Sequence, residues 1–321
     1  MTSVTSNNCA TDLATDAANN LGTSLAASHN SKPLTESTAE TTPTTKADSH
    51  LQTYAIGIEF NGANYRGWQR QQEVLCVQQV LEETLSKIAN EPIEVVAAGR
   101  TDAGVHAGNM LAHFTTRAQR GIYNWMRGAN SLLPDDIALR WIQPMPDDFH
   151  ARFGAIARRY RYITLNQPQR PAMLSHLVTH IHEPLDLARM QQAAAYIEGT
   201  HDFSSFRAAA CQSKQPVRNI HHAQLFEHGQ FLVFDIKADG FLHHMVRNLM
   251  GTLFAIGRGE LQPEDYLRLL QAKDRTLAPP TAAPDGLYFI NAYYPEPYQS
   301  LLPELPLTPQ WLNLPDTICQ P

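Results

Sequence analysis

The sequence predicts an α+β fold made of two similar halves, each packing its helices on one face of an antiparallel sheet. Three observations carry this expectation. Between residues 54 and 142 the hydrophobic period switches between two and about 3.6 in the order strand, helix, strand, strand, helix, strand. Between residues 157 and 293 that order is approximately repeated, with one additional helix. The 321 residues, 43% hydrophobic and 17% charged, are enough to bury a sizeable core.

Residues 1–50 are rich in Thr, Ser, Ala and Asn and hold no aromatic residue, so they are read as a disordered extension. The alternation at 54–60 predicts the first strand, followed by a polar, Gly-bearing loop at 61–71 whose Tyr65 and Trp68, beside Arg66 and Arg70, suit stacking on bases. Val77, Val80, Leu81, Leu85 and Ile88 recur at three- and four-residue steps, an amphipathic helix. Apolar runs at 93–98 and 111–114 predict two strands joined by a loop at 99–107, and a helix at 122–130 and a strand at 137–142 close the first half. In the second half, strands are expected at 157–163, 217–226, 231–239 and 287–293, and helices at 187–197, 243–256 and 264–270. The chain thus divides into an extension (1–50), a half carrying the 99–107 loop (51–145), a half carrying a basic segment (146–294) and a Pro-rich tail (295–321). Leu301, Leu302, Trp311 and Leu314 suit that tail to lie on the surface of the body.

Composition excludes several functions. Cys9, Cys76, Cys211 and Cys319 are far apart and form no CxxC pair, which argues against a zinc knuckle or disulfide framework and fits a reducing cytoplasm. No stretch of about 18 apolar residues occurs, and the amino terminus does not read as a secretion signal, so no membrane association is expected. Residues 1–50 hold two basic and five acidic groups and residues 295–321 hold none and three, so the tails account for the whole net charge of −6. The body is neutral, and partner preference depends on clustering. One cluster exists: residues 149–182 contain Arg152, Arg158, Arg159, Arg161 and Arg170 and no acid. Strand alternation puts Arg159 and Arg161 on one face and Tyr160 and Tyr162 on the other. The tyrosines are either base-stacking or core residues, and the arginines either contact RNA or form a solvated face.

The loop Gly99-Arg100-Thr101-Asp102-Ala103-Gly104-Val105-His106-Ala107 brackets an Arg, a Thr and an Asp between two glycines. A tight turn at the end of strands presenting one carboxylate suits a site built around a single acid. The bland alternative is a turn in which Thr101 or Asp102 hydrogen-bonds the local backbone. A phosphate loop is excluded because Val105-His106 stands where Lys and Ser or Thr are required. Asp102, His106 and His113 offer metal ligands but at no recognised spacing. The helix expected from His243 is apolar nearly all round except for Arg247. A partly buried guanidinium needs a carboxylate: Asp102 is the candidate, a pairing that favours an ionised nucleophile, and the alternative is a structural ion pair with another acid. His243 and His244, adjacent on a helix, should point about 100° apart and not serve one metal.

Together these residues resemble the TruA family of transfer-RNA pseudouridine synthases. The match runs from Tyr54 to about Tyr294 and includes the 99–106 loop, Phe149-His150-Ala151-Arg152-Phe153, Arg159-Tyr160-Arg161-Tyr162, Asp202-Phe203-Ser204-Ser205-Phe206 and His244-Met245-Val246-Arg247-Asn248. The resemblance implies two ferredoxin-like halves in one continuous antiparallel sheet, a homodimer, and isomerisation of uridines 38, 39 and 40 in the anticodon arm to pseudouridine, with no cofactor and no metal. It makes Asp102 the nucleophile, with Arg100 helping displace the target base and Arg247 pairing with Asp102. Tyr160 would stack on the flipped uracil and Leu287 line its pocket. Phe149, His150, Ala151, Arg152 and Phe153, with Ala210, Cys211, Gln212, Ser213 and Lys214, would contact tRNA. Attack would fall on ribose C1′ or uracil C6. Two other readings of the same residues are a non-catalytic RNA-binding module and a metal-dependent nuclease using Asp102, His106 and His113.

Overall fold

A computed structural model of the protein describes residues 51–304, 306, 307, 309 and 312. The extension 1–50, Cys9, Cys319, Trp311 and Leu314 lie outside the described residues. The first half consists of β1 (Gln52–Phe60), α1 (Val77–Ala89), β2 (Val96–Ala97), β3 (His106–Thr116), α2 (Ile122–Leu132) and β4 (Ile137–Met145). The second contains β5 (Ala157–Asn166), β6 (Thr179–Ile181), α3 (Leu187–Ala194), β7 (Gly199–Asp202), β8 (Val217–His228), β9 (Phe231–Ala238), α4 (Met245–Gly257), α5 (Asp265–Ala272) and β10 (Leu287–Tyr293), and a short α6 (Tyr298–Leu301) follows. Among the described residues no helix is long and apolar enough to cross a membrane.

The strands form one sheet in the order β4-β1-β3-β10-β5-β9-β8-β7, with β2 also on β3 and β6 also on β5. Within it, β4-β1-β3-β2 and β10-β5-β9-β8 are the same last-first-third-second order, so each half is ferredoxin-like. Pairing is antiparallel throughout both units, but the seam is not: β10 runs parallel to β3, as β6 does to β5. One edge of β3 is shared, since β2 pairs with its Ala112 and His113 and β10 with its His106 and Ala107. The loop leading from β2 into β3 therefore emerges where the two halves meet.

Helices lie on one face of the sheet. There Val77, Leu81 and Leu85 of α1, Trp125 of α2, Met190 of α3 and Leu249 and Leu253 of α4 share one core with Ile56, Phe114, Tyr162 and Phe234 of the strands. The opposite face carries a smaller cluster, Ile163, Leu165, Val233, Tyr288 and Ile290, covered by Val178, Leu174, Leu307 and Leu312. The tail thus buries apolar side chains, though through Leu307 and Leu312 on this face, while Leu302 packs at the main core and Leu301 is exposed.

Three local expectations need correction. The run 93–98 yields only the two-residue β2, because α1 intercepts its backbone: Ser86 Oγ accepts from Ile93 N, Glu82 Oε1 accepts from Val95 N, and Gln78 Nε2 donates to Val95 O. Tyr65 and Trp68 are only 4% and 2% exposed, so they are packed into the core and form no exposed stacking platform, though Trp68 borders the cavity described below. Arg159 and Arg161 are not a solvated face either. Both are buried and paired with the fully buried Asp235 of β9, Arg159 Nε to Oδ1 at 2.7 Å and Arg161 Nε to Oδ2. With an acid across the ladder, the two guanidiniums can be accommodated out of water.

Candidate active site

The 99–105 loop is built against the 61–68 segment. Trp68 N donates to Thr101 O (3.1 Å), Gly104 N donates to Tyr65 O (3.2 Å), and Gly62 N donates to Nδ1 of His106 (3.0 Å). Gly67 sits at φ +93°, and a Cβ there would lie 2.4 Å from Thr101 O, so only glycine permits this approach. The aromatic loop read from sequence as a base-stacking surface is therefore the scaffold of the acid-bearing one.

Asp102 does not use its carboxylate to close its own turn. Oδ2 accepts from Arg247 Nη1 at 3.1 Å, while Arg247 Nε donates to Ala282 O at 2.9 Å and fixes the guanidinium. Arg247 is the single residue of α4 that is not buried, which explains how the otherwise apolar helix delivers one cation here. The Thr101 hydroxyl is buried and has no hydrogen-bond partner, so the bland turn reading fails for both residues.

The metal reading through His106 and His113 fails on geometry. His106 is buried, stacked on Tyr288 at 4.7 Å, with Nδ1 taken by Gly62 and Nε2 3.0 Å from Asp285 O. His113 Nδ1 accepts from Ala151 N. The histidines that do reach Asp102 are the two set aside at the sequence level. α4 begins at Met245, and His244 precedes it in the left-handed region at φ 61°. That turn brings His243 Nε2 to 3.5 Å from Oδ1 and His244 Nε2 to 3.6 Å from Oδ2. Burial holds the His244 imidazole below its ordinary range.

Asp102 opens on a cavity of about 850 Å³ at the seam between the halves. Of the residues singled out from sequence, Trp68, Arg100, Asp102, Arg152, Tyr160, Ala210, Cys211, Gln212, Ser213, His243, His244 and Leu287 line it, and Arg247 stands behind Asp102. Arg100 Nη1 donates to Gln212 Oε1 at 3.0 Å, which ties the acid-bearing loop to the 210–214 segment. Tyr160 packs edge-on against Phe241 and Phe289, and burial, then the Asp102 charge, raise its pKa so that the phenol stays protonated. Phe149 and Ala151 are buried, so of the 149–153 segment only His150, Arg152 and Phe153 present side chains to solvent, Phe153 at 78% exposure. Lys214 is exposed but does not line the cavity.

Arg66 of the 61–71 loop and Arg158 of the basic segment also line the cavity, as does Arg218, which sequence reasoning missed. For Arg158 the signal was present, because alternation puts it on the face of Tyr160. Its guanidinium gathers three chain segments, donating to the carbonyls of Ala98, of Arg152 and Ala155, and of Asp239. With Arg100 and Arg152, five arginines face two acids, Asp102 and Glu94, around the opening. Such a wall attracts a polyanion and leaves one carboxylate at its floor.

The sequence pattern of the tRNA pseudouridine synthase family matches residues 56–154 and 193–295. The chain is 58% identical over 267 residues to "tRNA pseudouridine synthase A" of Acinetobacter baumannii (strain SDF), covering 83% of this chain and all of that one. It is 53% identical over 264 residues to the protein of the same name from Vibrio cholerae serotype O1, covering 82% of this chain and 98% of that one. Among solved structures, the archaeal box H/ACA sRNP Nop10-Cbf5 complex aligns at 12% identity and TM-score 0.32, over 64% of this chain and 44% of that one, a likeness too slight to bear on function.

Proposed function

The chain belongs to the tRNA pseudouridine synthase family, and from that premise we propose that it converts uridines 38, 39 and 40 of the anticodon arm of transfer RNA to pseudouridine, with Asp102 as nucleophile. The observation that carries the assignment of the nucleophile is the Asp102 carboxylate, 18% exposed, held by Arg247 at the floor of an arginine-walled cavity. A volume of about 850 Å³ admits a single flipped nucleotide and no duplex. Flipping costs a few kcal/mol, which stacking and phosphate contacts offset. Tyr160 and Leu287 receive the base, Arg100 displaces it from its stem, and the 149–153 and 210–214 segments hold the flanking RNA. As a family member it is proposed to act as a cytoplasmic homodimer, its halves spanning 51–145 and 146–294.

The chemistry needs one nucleophile and a place for the base to turn. An Asp102 oxygen bonds to ribose C1′ or to uracil C6, and the bond between N1 and C1′ breaks. The base, retained in the cavity, turns and bonds to C1′ through C5. The C1′ or C6 bond to Asp102 breaks, the proton leaves C5, and N1 gains one. Nothing is oxidised or hydrolysed, so the residues here meet the requirements of the isomerisation without a redox or nucleotide group. Arg247 supplies the counter-charge that keeps the carboxylate ionised and aimed.

An Asp102→Ala protein tests the reading. It is expected to bind tRNA as the parent does while pseudouridine formation falls to background. Undiminished activity would remove Asp102 as nucleophile, and parental protein that binds tRNA without forming pseudouridine would favour the RNA-binding module.

A further inference from the structure

The isomerisation proposed above uses Arg247 among the basic neighbours of Asp102 and leaves two imidazoles without a role. His243 Nε2 and His244 Nε2 stand 3.5 and 3.6 Å from the two carboxylate oxygens, and their rings lie 4.0 Å apart. One ligand atom from each of the three residues falls within 4.8 Å of the others. We propose that Asp102, His243 and His244 form a binding site for Zn²⁺, or a divalent transition metal of similar softness, and that its occupancy inhibits the enzyme by engaging the nucleophile.

The donor set selects the ion class. Two imidazoles and one carboxylate with a fourth place for solvent is a zinc set, whereas Mg²⁺ and Ca²⁺ take oxygen ligands. Metal–ligand bonds of 2.0–2.1 Å give a tetrahedron whose edges are about 3.4 Å; the Asp–His separations of 3.5 and 3.6 Å are near that edge but run to different carboxylate oxygens, so the Asp102 carboxylate turns to offer one oxygen to an ion shared with both imidazoles. The arrangement is imposed by the backbone: with His244 at φ 61° ahead of α4, consecutive histidines converge where a helix would splay them. All three groups are accessible, with His243, His244 and Asp102 side chains 42%, 31% and 18% exposed, so an ion can enter from the cavity. Arg247, 3.1 Å from Oδ2, opposes a dication and holds the affinity well short of that of structural zinc sites. The same position suits a reversible inhibitor. Binding rests on the geometry alone, and the inhibitory consequence rests on Asp102 being the nucleophile.

The test uses the full chain freed of metal with EDTA and dialysed. Co²⁺ added as a probe is expected to give the intense visible bands of a tetrahedral ion, saturating at one ion per chain and displaced by Zn²⁺. His243→Ala and His244→Ala should each weaken Co²⁺ binding about tenfold or more, near 1.4 kcal/mol, a readout independent of turnover. In parallel, with Mg²⁺ in excess to cover tRNA phosphates, Zn²⁺ should lower turnover at least about tenfold, EDTA should restore it, and Ca²⁺ should have no effect. Octahedral bands only, or binding unchanged in both histidine variants, would overturn the site. Tetrahedral bands that need both histidines, with turnover untouched by Zn²⁺, would overturn the inhibition, while the nucleophile assignment stands or falls on the activity of Asp102→Ala. Activity lost in Asp102→Ala with Co²⁺ binding unaltered would overturn the site alone.

Discussion

Arg247 Nη1 donates to Asp102 Oδ2 at 3.1 Å across 145 positions of sequence, joining the first helix turn of α4 to the loop between β2 and β3. The contact makes the two halves one site. Each half supplies a charge that would be costly alone: a guanidinium in an apolar helix, and a carboxylate in a partly enclosed cavity. The partnership is therefore structural and chemical at once, and the two contributions can be separated.

Replacing Arg247 by Leu leaves the carboxylate without its charged donor, a bond worth about 1.5–3 kcal/mol, so turnover should fall roughly tenfold to a hundredfold. Arg159→Leu serves as the contrast, because Arg159 is buried against Asp235 on the opposite face and touches nothing in the cavity. Its removal leaves a buried charge imperfectly paired, at about 3–5 kcal/mol. Arg159→Leu should therefore lose melting temperature, and Arg247→Leu activity, when both are followed by calorimetry and by pseudouridine formation. The reverse assignment would undo the pairing argument.

What could be read in advance divides along physical lines. Strand and helix periods are local, and so most elements between Tyr54 and Tyr293 were legible, whereas β6 and β7, three and four residues long, are too short to show a period, and the apolar run at 93–98 yielded only β2. The acid-bearing loop was legible too, because two glycines around one Asp need no partner to be noticed. Arg247 could be matched to Asp102 because an apolar helix cannot carry a lone cation. The Arg159–Asp235–Arg161 cluster was not legible: its acid lies 74 to 76 positions away on a strand that pairs with β5 only in the fold. Tyr65 and Trp68 misled because a polar, Gly-bearing loop gives no sign that a second loop lies over it. His243 and His244 were hidden by one backbone torsion, since a left-handed residue ahead of α4 reverses where the pair points.

Acid should weaken the fold through the two histidines of β3. Burial and the neighbouring His150 push His113 down to about 4, and burial also lowers His106. Both folded values lie below the unfolded one, near 6.5, so the unfolded chain binds more protons as pH falls and stability rises with pH across that window. The His113 contribution is intact above about 6.5 and is lost towards 4, on the order of 1–2 kcal/mol once solvent screening is allowed for. Urea midpoints at pH 7.5 and 5 should differ less in His113→Asn, which keeps an acceptor for Ala151 N but does not titrate. Parallel pH dependences in the two proteins would refute this.

The arginine wall predicts steep salt dependence of tRNA affinity. Arg152 is the cleanest probe, since its side chain is exposed and lies over the Phe153 ring with 5.5 Å to the centroid. Arg152→Ala should weaken binding at low salt, reduce the slope of log affinity against log salt by about one, and leave melting unchanged. Arg158 cannot serve, because its four carbonyl contacts make any change there structural. A flat titration in the parent would show that this wall is not the RNA surface.

The tail separates stability from catalysis. Leu312 is fully buried with Leu307 against Ile163, Val233, Tyr288 and Ile290, on the face of the sheet opposite α1 to α4. Arg140 Nη2 fixes the approach by donating to Pro306 O at 2.7 Å. Tyr160 and Leu287, on the same central strands, point to the other face and the cavity. Burying one leucine contributes about 1.5–3 kcal/mol, and truncation to alanine costs about 2–5 kcal/mol where the site cannot collapse. Leu312→Ala should therefore lower the melting temperature by roughly 5 to 15 °C, at about 2–4 °C per kcal/mol for a domain of this size. Removal of residues 303–321 should lower it further, because Tyr288 and Ile290 then lose their cover. Turnover measured well below the new melting point should stay close to that of the parent in both proteins, since no residue of the tail reaches Asp102 among the described residues. A deletion that leaves melting unchanged would mean that Leu307 and Leu312 do not hold this face in solution. A deletion that abolishes turnover at full stability would place the tail in the reaction.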